Sequence, residues 1–240
     1  MYGNIMKSFY SFVIAFILST SLAHADVASV KAAMQKKFSR EKILEVVKTP
    51  YFGLYEVAFE DSIVYTDEKL SYLFTGSIYD LKTMQNLTEE RAKKLYAVKF
   101  DALPFQYAFK EVKGDGKRRI AIFTDPNCPY CKRLEKEMQQ VDNITVYRFI
   151  LAILPGSAEK ARNIWCSNDR EKIWRDALLN GVTPPRAKPC DTNALVAVSR
   201  LAEKLRINGT PAIIFEDGTI NPGAMPAEDI EKQLAASAGK

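Results

Sequence analysis

The run Arg119-Ile120-Ala121-Ile122-Phe123, Thr124-Asp125-Pro126-Asn127, Cys128-Pro129-Tyr130-Cys131 restricts the folds open to this chain more than any other stretch. Residues 119–123 are mostly apolar and β-branched, the pattern of a buried strand. From Lys132 to Gln140 the pattern becomes helical, with Leu134, Met138 and Val141 at i, i+4 and i+7 beside Cys131. The two thiols therefore stand where a strand turns into a helix, with Cys128 at the helix N-terminus. Unpaired backbone N–H groups and the positive end of the helix dipole favour an anion there. The anion implied is the Cys128 thiolate, the nucleophilic form in disulfide exchange.

The first 25 residues place this chemistry. One lysine (Lys7), an apolar run over Phe9–Leu18 and Ala23-His24-Ala25 read as the charged start, short core and small-x-small cleavage site of a secretory signal peptide. The run is too short to span a bilayer, which takes ~20 apolar residues. Cleavage after Ala25 leaves a chain beginning at Asp26, and either Met1 or Met6 serves as a start. The whole sequence has 34 Lys and Arg against 29 Asp and Glu, a formal charge of +5, and loss of Lys7 with the leader makes it +4. Basic residues are scattered, with short runs such as Lys117-Arg118-Arg119 read as a solvated strand start, so no nucleic-acid partner is expected. The one histidine, His24, leaves with the leader. That excludes mechanisms built on a serine–histidine, cysteine–histidine or zinc–histidine pair from the mature protein.

Four cysteines remain, Cys128, Cys131, Cys166 and Cys190, and they allow three pairings. The reading adopted pairs Cys128 with Cys131 and Cys166 with Cys190. The second pair closes a loop worth on the order of 3 kcal/mol in the chain-entropy treatment. The competing four-cysteine zinc site lacks a second C-x-x-C, so no metal is expected.

Along the mature chain, Val30, Ala33, Met34 and Phe38 form a helical stripe. Leu54–Phe59, Ile63–Thr66 and Leu70–Thr75 read as strands, and Ser77-Ile78-Tyr79-Asp80 as a further one, giving a small antiparallel sheet with a helix. A unit this small builds only a shallow core and needs a partner surface. Asn86-Leu87-Thr88-Glu89-Glu90 reads as a helix start capped by Thr88 or Asn86, and the helix runs on through Arg91–Lys99. Phe105–Lys113 and Ile144–Leu151 read as strands, Ser157–Asn180 as helical, and Asp191 as the cap of a helix reaching Leu205. Gly209-Thr210-Pro211 then leads into the strand Ala212–Phe215, Asp217-Gly218 makes a hairpin turn, and Ala227–Ala236 is a closing helix.

Phe123 to Cys131, the Trp165-Cys166 and Cys190 pair, and Gly209-Thr210-Pro211, in that order, resemble the thioredoxin fold. More narrowly they are similar to the periplasmic disulfide isomerases of the DsbC/DsbG family, and the likeness extends over essentially the whole mature chain. The expected fold is an α+β N-terminal dimerisation domain (a small antiparallel sheet plus a helix) over 26–85, behind the signal peptide of 1–25. A helical linker over 86–103 joins it to an α/β thioredoxin-like domain with a helical insertion over 104–240. The resemblance implies a V-shaped homodimer joined through the N-terminal sheets, with two thioredoxin-like domains facing a shared cleft. It also implies a bacterial periplasmic location, a cis Pro211 beside Cys128, a Thr210 backbone that pairs with extended substrate, and Cys166–Cys190 as a structural disulfide. One departure is Pro129-Tyr130, where the family often carries Gly-Tyr; proline removes a backbone donor.

The activity implied is rearrangement of wrong disulfides in misfolded exported proteins. Cys128 and Cys131 are the catalytic pair, Pro129, Tyr130, Thr210 and Pro211 support the site and bind substrate, and no cofactor is required. A membrane reductase of the DsbD type would restore the dithiol. Two other readings stand beside it: a DsbG-like reductase that protects single thiols or a disulfide oxidase, and a dimeric chaperone with secondary redox activity. The Asn-x-Thr sequons at Asn86, Asn143 and Asn208 are read as unused.

Overall fold

Asp26 opens the described chain as a helix cap, its side chain accepting the Ser29 N–H at 2.7 Å. The computed structural model describes residues 26–237; the signal peptide expected over 1–25 lies outside the described residues. Two compact units divide between Ile78 and Tyr79.

In the first unit, α1 (Val27–Lys37) lies against an antiparallel sheet of β1 (Ile43–Lys48), β2 (Tyr55–Phe59), β3 (Ile63–Thr66) and β4 (Leu73–Thr75), in that order. Its core joins Val30 and Met34 of the helix to Ile43, Val46, Tyr55, Val57, Phe59 and Val64. Strand β1 has no counterpart in the sequence reading. A register shift between Ile43 and Glu45 breaks its alternation, so Ile43 and Val46 are buried while Val47 faces out. The third expected strand begins at Leu73 instead of Leu70. Leu70 has φ 55°, and the Asp67 carboxylate accepts the Ser71 and Tyr72 N–H groups at 2.7 and 3.0 Å, making a turn of residues 67–72.

The second unit starts with a short ladder of β5 (Tyr79–Asp80) and β6 (Gln85–Asn86) and continues into α2 (Leu87–Leu95). Asn86, one of the two expected caps, accepts the Glu89 N–H at 3.1 Å. The helix ends at Leu95, short of the expected Lys99. Val98 donates its N–H to the Gly218 carbonyl at 2.9 Å, and Phe100 and Leu103 are buried among Ala121, Phe123, Phe149, Val198 and Ile214. Residues 98–103, expected as linker, thus contribute to the core of this unit. A 3-10 turn at Phe105–Tyr107 replaces the first part of the expected strand, and β7 begins at Phe109 (Phe109–Lys113).

The remaining elements are β8 (Arg118–Thr124), α3 (Pro129–Met138), β9 (Ile144–Ile150), α4 (Ser157–Trp165), α5 (Arg170–Leu179), α6 (Asn193–Lys204), β10 (Ala212–Phe215), β11 (Ile220–Pro222) and α7 (Ala227–Ser237). The sheet order is β11-β10-β8-β9-β7, with β8 and β9 parallel and the other pairs antiparallel. On β8, Ile120 and Ile122 pack with Leu134, Met138, Ile230 and Leu234, whereas Ala121 and Phe123 pack with Val198 and Ala202. Covering on both faces explains why Ile120–Phe123 of β8 read as a continuous apolar run. The helical region expected over Ser157–Asn180 is two helices. Cys166 ends the first, and Asp169 caps the second by accepting the Lys172 N–H at 3.0 Å. Helix α6 has Thr192 at its N-cap, while Asp191, the expected cap, accepts the Asn193 N–H at 2.8 Å.

Gly218 has φ 82°, and a Cβ there would overlap the Val98 carbonyl. Gly218→Ala is expected to cost about 2 kcal/mol or more, from left-handed strain together with displacement of residues 96–103. Urea unfolding of the two proteins measures it.

Candidate active site

Strand β8 delivers Thr124 and Asp125 to the carboxyl edge of the sheet, the edge at which open α/β folds gather their reactive groups. Asp125 is completely buried and organises the turn that follows. Its Oδ1 accepts the Asn127 N–H at 2.7 Å and the Ser157 hydroxyl at 2.6 Å. Its Oδ2 accepts the Ile153 and Leu154 N–H groups at 2.9 and 3.0 Å. Asn127 extends the same turn by donating to the Pro155 carbonyl at 3.0 Å and accepting from Lys160 at 2.7 Å.

Cys128 is the N-cap residue of α3 and Pro129 its first helical residue. Proline costs little there, because the first helical N–H has no partner within the helix in any case. The Cys128 N–H donates to the Asp125 carbonyl at 3.2 Å, and the Cys128 carbonyl accepts the Lys132 N–H at 3.1 Å. Both active-turn cysteines are free thiols, Cys128 4% and Cys131 1% exposed. Pro129 and Tyr130 face out, with Tyr130 62% exposed.

The segment before β10 completes the site. Thr210–Pro211 is a cis peptide, and the Cys128 thiol donates to the Thr210 carbonyl at 3.2 Å. The Asp125 N–H donates to Cys131 Sγ at 3.4 Å. Burial pushes the Cys131 thiol up to about 12; the neighbouring Cys128 adds to that, against hydrogen bonds from Thr124, the Asp125 amide and Thr210 that draw it down. The site thus brings Cys128, Pro129, Tyr130, Cys131, Thr210 and Pro211 together. Cys166 and Cys190 are joined to each other (S–S 2.04 Å) and tie the end of α4 to the segment before α6.

Sequence reasoning did not find a buried charge network one turn below Cys131. Glu135 and Arg148 pair through two bonds of 2.8 and 2.9 Å, and Trp174 donates its Nε1–H to Glu135 at 2.8 Å. Glu111 completes the set at 2.7 Å from Arg148. Burial would draw the Arg148 guanidinium down, but Glu135 and Glu111 outweigh it and hold it above its ordinary value. The signal was available: Arg148 is a cation inside an otherwise apolar strand pattern, and Glu135 lies on the inward side of α3 with Cys131, Leu134 and Met138. Removing one member of such a set costs about 3–5 kcal/mol. Among the described residues, no group of three or more His, Cys, Asp or Glu could hold a metal ion.

Residues 105–238 match a family described as a thioredoxin-like domain, and residues 21–89 match the disulfide bond isomerase protein N-terminal domain. The probable thiol:disulfide interchange protein DsbC of Bordetella parapertussis is 42% identical over 207 residues, covering 86% of this chain and 73% of that protein. The chain belongs to the DsbC family. Another DsbC-family relative, the thiol:disulfide interchange protein DsbC of Dickeya dadantii, is 30% identical over 236 residues, 93% of this chain and 94% of that one. A solved disulfide interchange protein from Neisseria gonorrhoeae covers 57% of this chain and 100% of its own, with 35% identity and a TM-score of 0.55. As a DsbC-family protein with a thioredoxin-like domain, the chain is a thiol–disulfide oxidoreductase.

The raised Cys131 thiol has a consequence for stability. A group whose pKa is higher in the folded state than its ordinary value of 9.0 stabilises the fold below that value. The contribution is lost as pH rises from about 9 toward about 12. The reduced protein is therefore expected to lose stability across that window more steeply than Cys131→Ser. Thermal unfolding of both from pH 8 to 11 checks the difference.

Proposed function

We propose that the protein is a periplasmic disulfide isomerase that acts on misfolded exported proteins through Cys128 and Cys131. The observation that carries the reading is the asymmetry of the two thiols. Cys128 occupies the helix N-cap against the Thr210 carbonyl, flanked by exposed Pro129 and Tyr130, while Cys131 lies a turn deeper and is pushed up to about 12.

The cycle starts when the Cys128 thiolate attacks a wrong disulfide. One client sulfur leaves as a thiolate, and the other becomes bonded to Cys128. The freed client thiolate then attacks elsewhere in the client, and the cascade ends by displacing Cys128 as a thiolate, with no net change in oxidation state. In a stalled complex, Cys131 gives up its proton and bonds to Cys128 Sγ. The client thiolate departs and takes up a proton, so two electrons have passed to the client. A membrane reductase of the DsbD type then returns the Cys128–Cys131 disulfide to the dithiol. Thr210 and Pro211 offer backbone to an extended client, and Tyr130 offers an aromatic face.

Dimerisation through the first unit is part of the reading. Strand β4 is an edge strand whose residues are exposed, and neighbouring Tyr72 is 71% exposed. Beside it runs a groove of about 320 Å³ lined by Phe52, Leu54, Tyr65, Phe74 and Ile78 among others. An exposed edge with apolar side chains is a ready template for a second strand. Such a dimer would also hold unfolded chains, giving the protein chaperone activity.

Cys128→Ser is expected to abolish refolding of scrambled ribonuclease, and Cys131→Ser to accumulate client mixed disulfides visible on non-reducing gels. Full activity in Cys128→Ser would refute the assignment. Light scattering on the exported form is expected to give twice the chain mass, and a monomer would remove the dimeric isomerase reading.

A further inference from the structure

Asp125 touches both thiol-bearing residues through its main chain while its side chain grips a different loop. Its C=O accepts the Cys128 N–H and its N–H points at Cys131 Sγ. Its carboxylate meanwhile takes four donors, three of them from the 153–157 segment. Ile153, held there by its own N–H, is 48% exposed. A carboxylate with four donors, completely buried, leaves the peptide units on either side of Asp125 little freedom.

We propose that Asp125 is a positioning residue for the resolving step: its carboxylate, clamped by Ser157, Ile153, Leu154 and Asn127, aims its own N–H at Cys131 Sγ and so governs how readily Cys131 attacks. This rests on the reading of Cys128 as the nucleophile and Cys131 as the resolving thiol. Cys131 is buried and protonated across the neutral range, so it needs help to become a nucleophile in that step. The Asp125 N–H supplies one hydrogen bond to the sulfur as charge develops on it. Loosening the clamp withdraws that donor; because the Cys128–Asp125 hydrogen bond is main chain to main chain and Cys128 Sγ rests on the Thr210 carbonyl, the first attack stays nearly unchanged.

The chemistry separates cleanly with a peptide disulfide carrying a different fluorophore on each half. Attack by Cys128 breaks the peptide S–S bond and releases one half as a thiolate. In the second phase Cys131 loses its proton and bonds to Cys128 Sγ. The Cys128–peptide bond breaks, and the second half leaves as a thiolate that takes up a proton. Ser157→Ala removes one donor without touching the main chain. Asp125→Asn sets an NH2 against N–H donors on one side of the clamp.

In stopped flow with the reduced full-length exported protein, the second phase is expected to slow roughly threefold in Ser157→Ala and roughly tenfold in Asp125→Asn, the scale of one hydrogen bond. The first phase should stay within about twofold. Equilibration with glutathione should shift toward the Cys128–Cys131 disulfide. A tenfold shift makes the potential ~30 mV more negative for a two-electron couple. If both variants lose melting temperature yet keep the wild-type second phase and potential, Asp125 is only structural and the proposal is overturned. Should Asp125→Asn fail to fold, Ser157→Ala decides the question alone. A wild-type protein with no second phase would instead overturn the assignment of Cys131, and the proposal with it.

Discussion

Parallel pairing of β8 with β9 is the constraint from which the rest of the second unit follows. Two adjacent parallel strands cannot be joined by a tight turn; the chain has to cross the sheet, and here it crosses as α3. The crossover begins at the carboxyl edge of β8, so whatever residues start α3 stand at the open end of the sheet. Cys128 and Cys131 are those residues. Helices on both faces make Ile120–Phe123 of β8 an uninterrupted apolar stretch, and the strand's last residue passes the chain to a buried aspartate instead of to solvent.

Below the thiols the molecule uses charge where an apolar side chain would have packed. Glu135, Arg148, Glu111 and Trp174 bind α3 to β9, β7 and α5 through directional contacts. An ion pair so deep gives little net stability relative to a hydrophobic substitute, but it fixes geometry because each partner is costly to leave alone. Helix α3 is therefore held at a set rotation and height over β9, and the thiols on its first turn inherit that placement.

The strand-turn-helix around Cys128, the later helices and the β10–β11 hairpin were legible because each has a strong local period or an unambiguous turn. Strand β1 was not, since a bulge shifts its inward residues from alternation to Ile43 and Val46. The span of residues 98–103 reads as linker in sequence for a different reason. Phe100 and Leu103 are core residues by virtue of Ala121, Phe149 and Val198, all distant in sequence, and Gly218 supplies the carbonyl that holds Val98. Helix boundaries near Cys166 depended on Asp169 outcompeting continuation of the helix. In the site, the cysteines and Thr210-Pro211 stand out as residue types. The role of Asp125 does not: in sequence it is one acid in a turn, and only the fold brings Ser157 and residues 153–154 to its oxygens.

The depth of Cys131 would also act as a clock in the proposed cycle. Burial pushes its thiol up to about 12, so the neutral thiol is the resting form near neutrality. In the proposed cycle, a client bonded to Cys128 would have two exits: its own sulfur could come back, or Cys131 could expel it. A second exit kept mostly shut would give the client time to try internal pairings before it is let go. In that cycle, the burial of Cys131 one helical turn beyond Cys128 would bear on how many attempts at correct pairing each encounter allows.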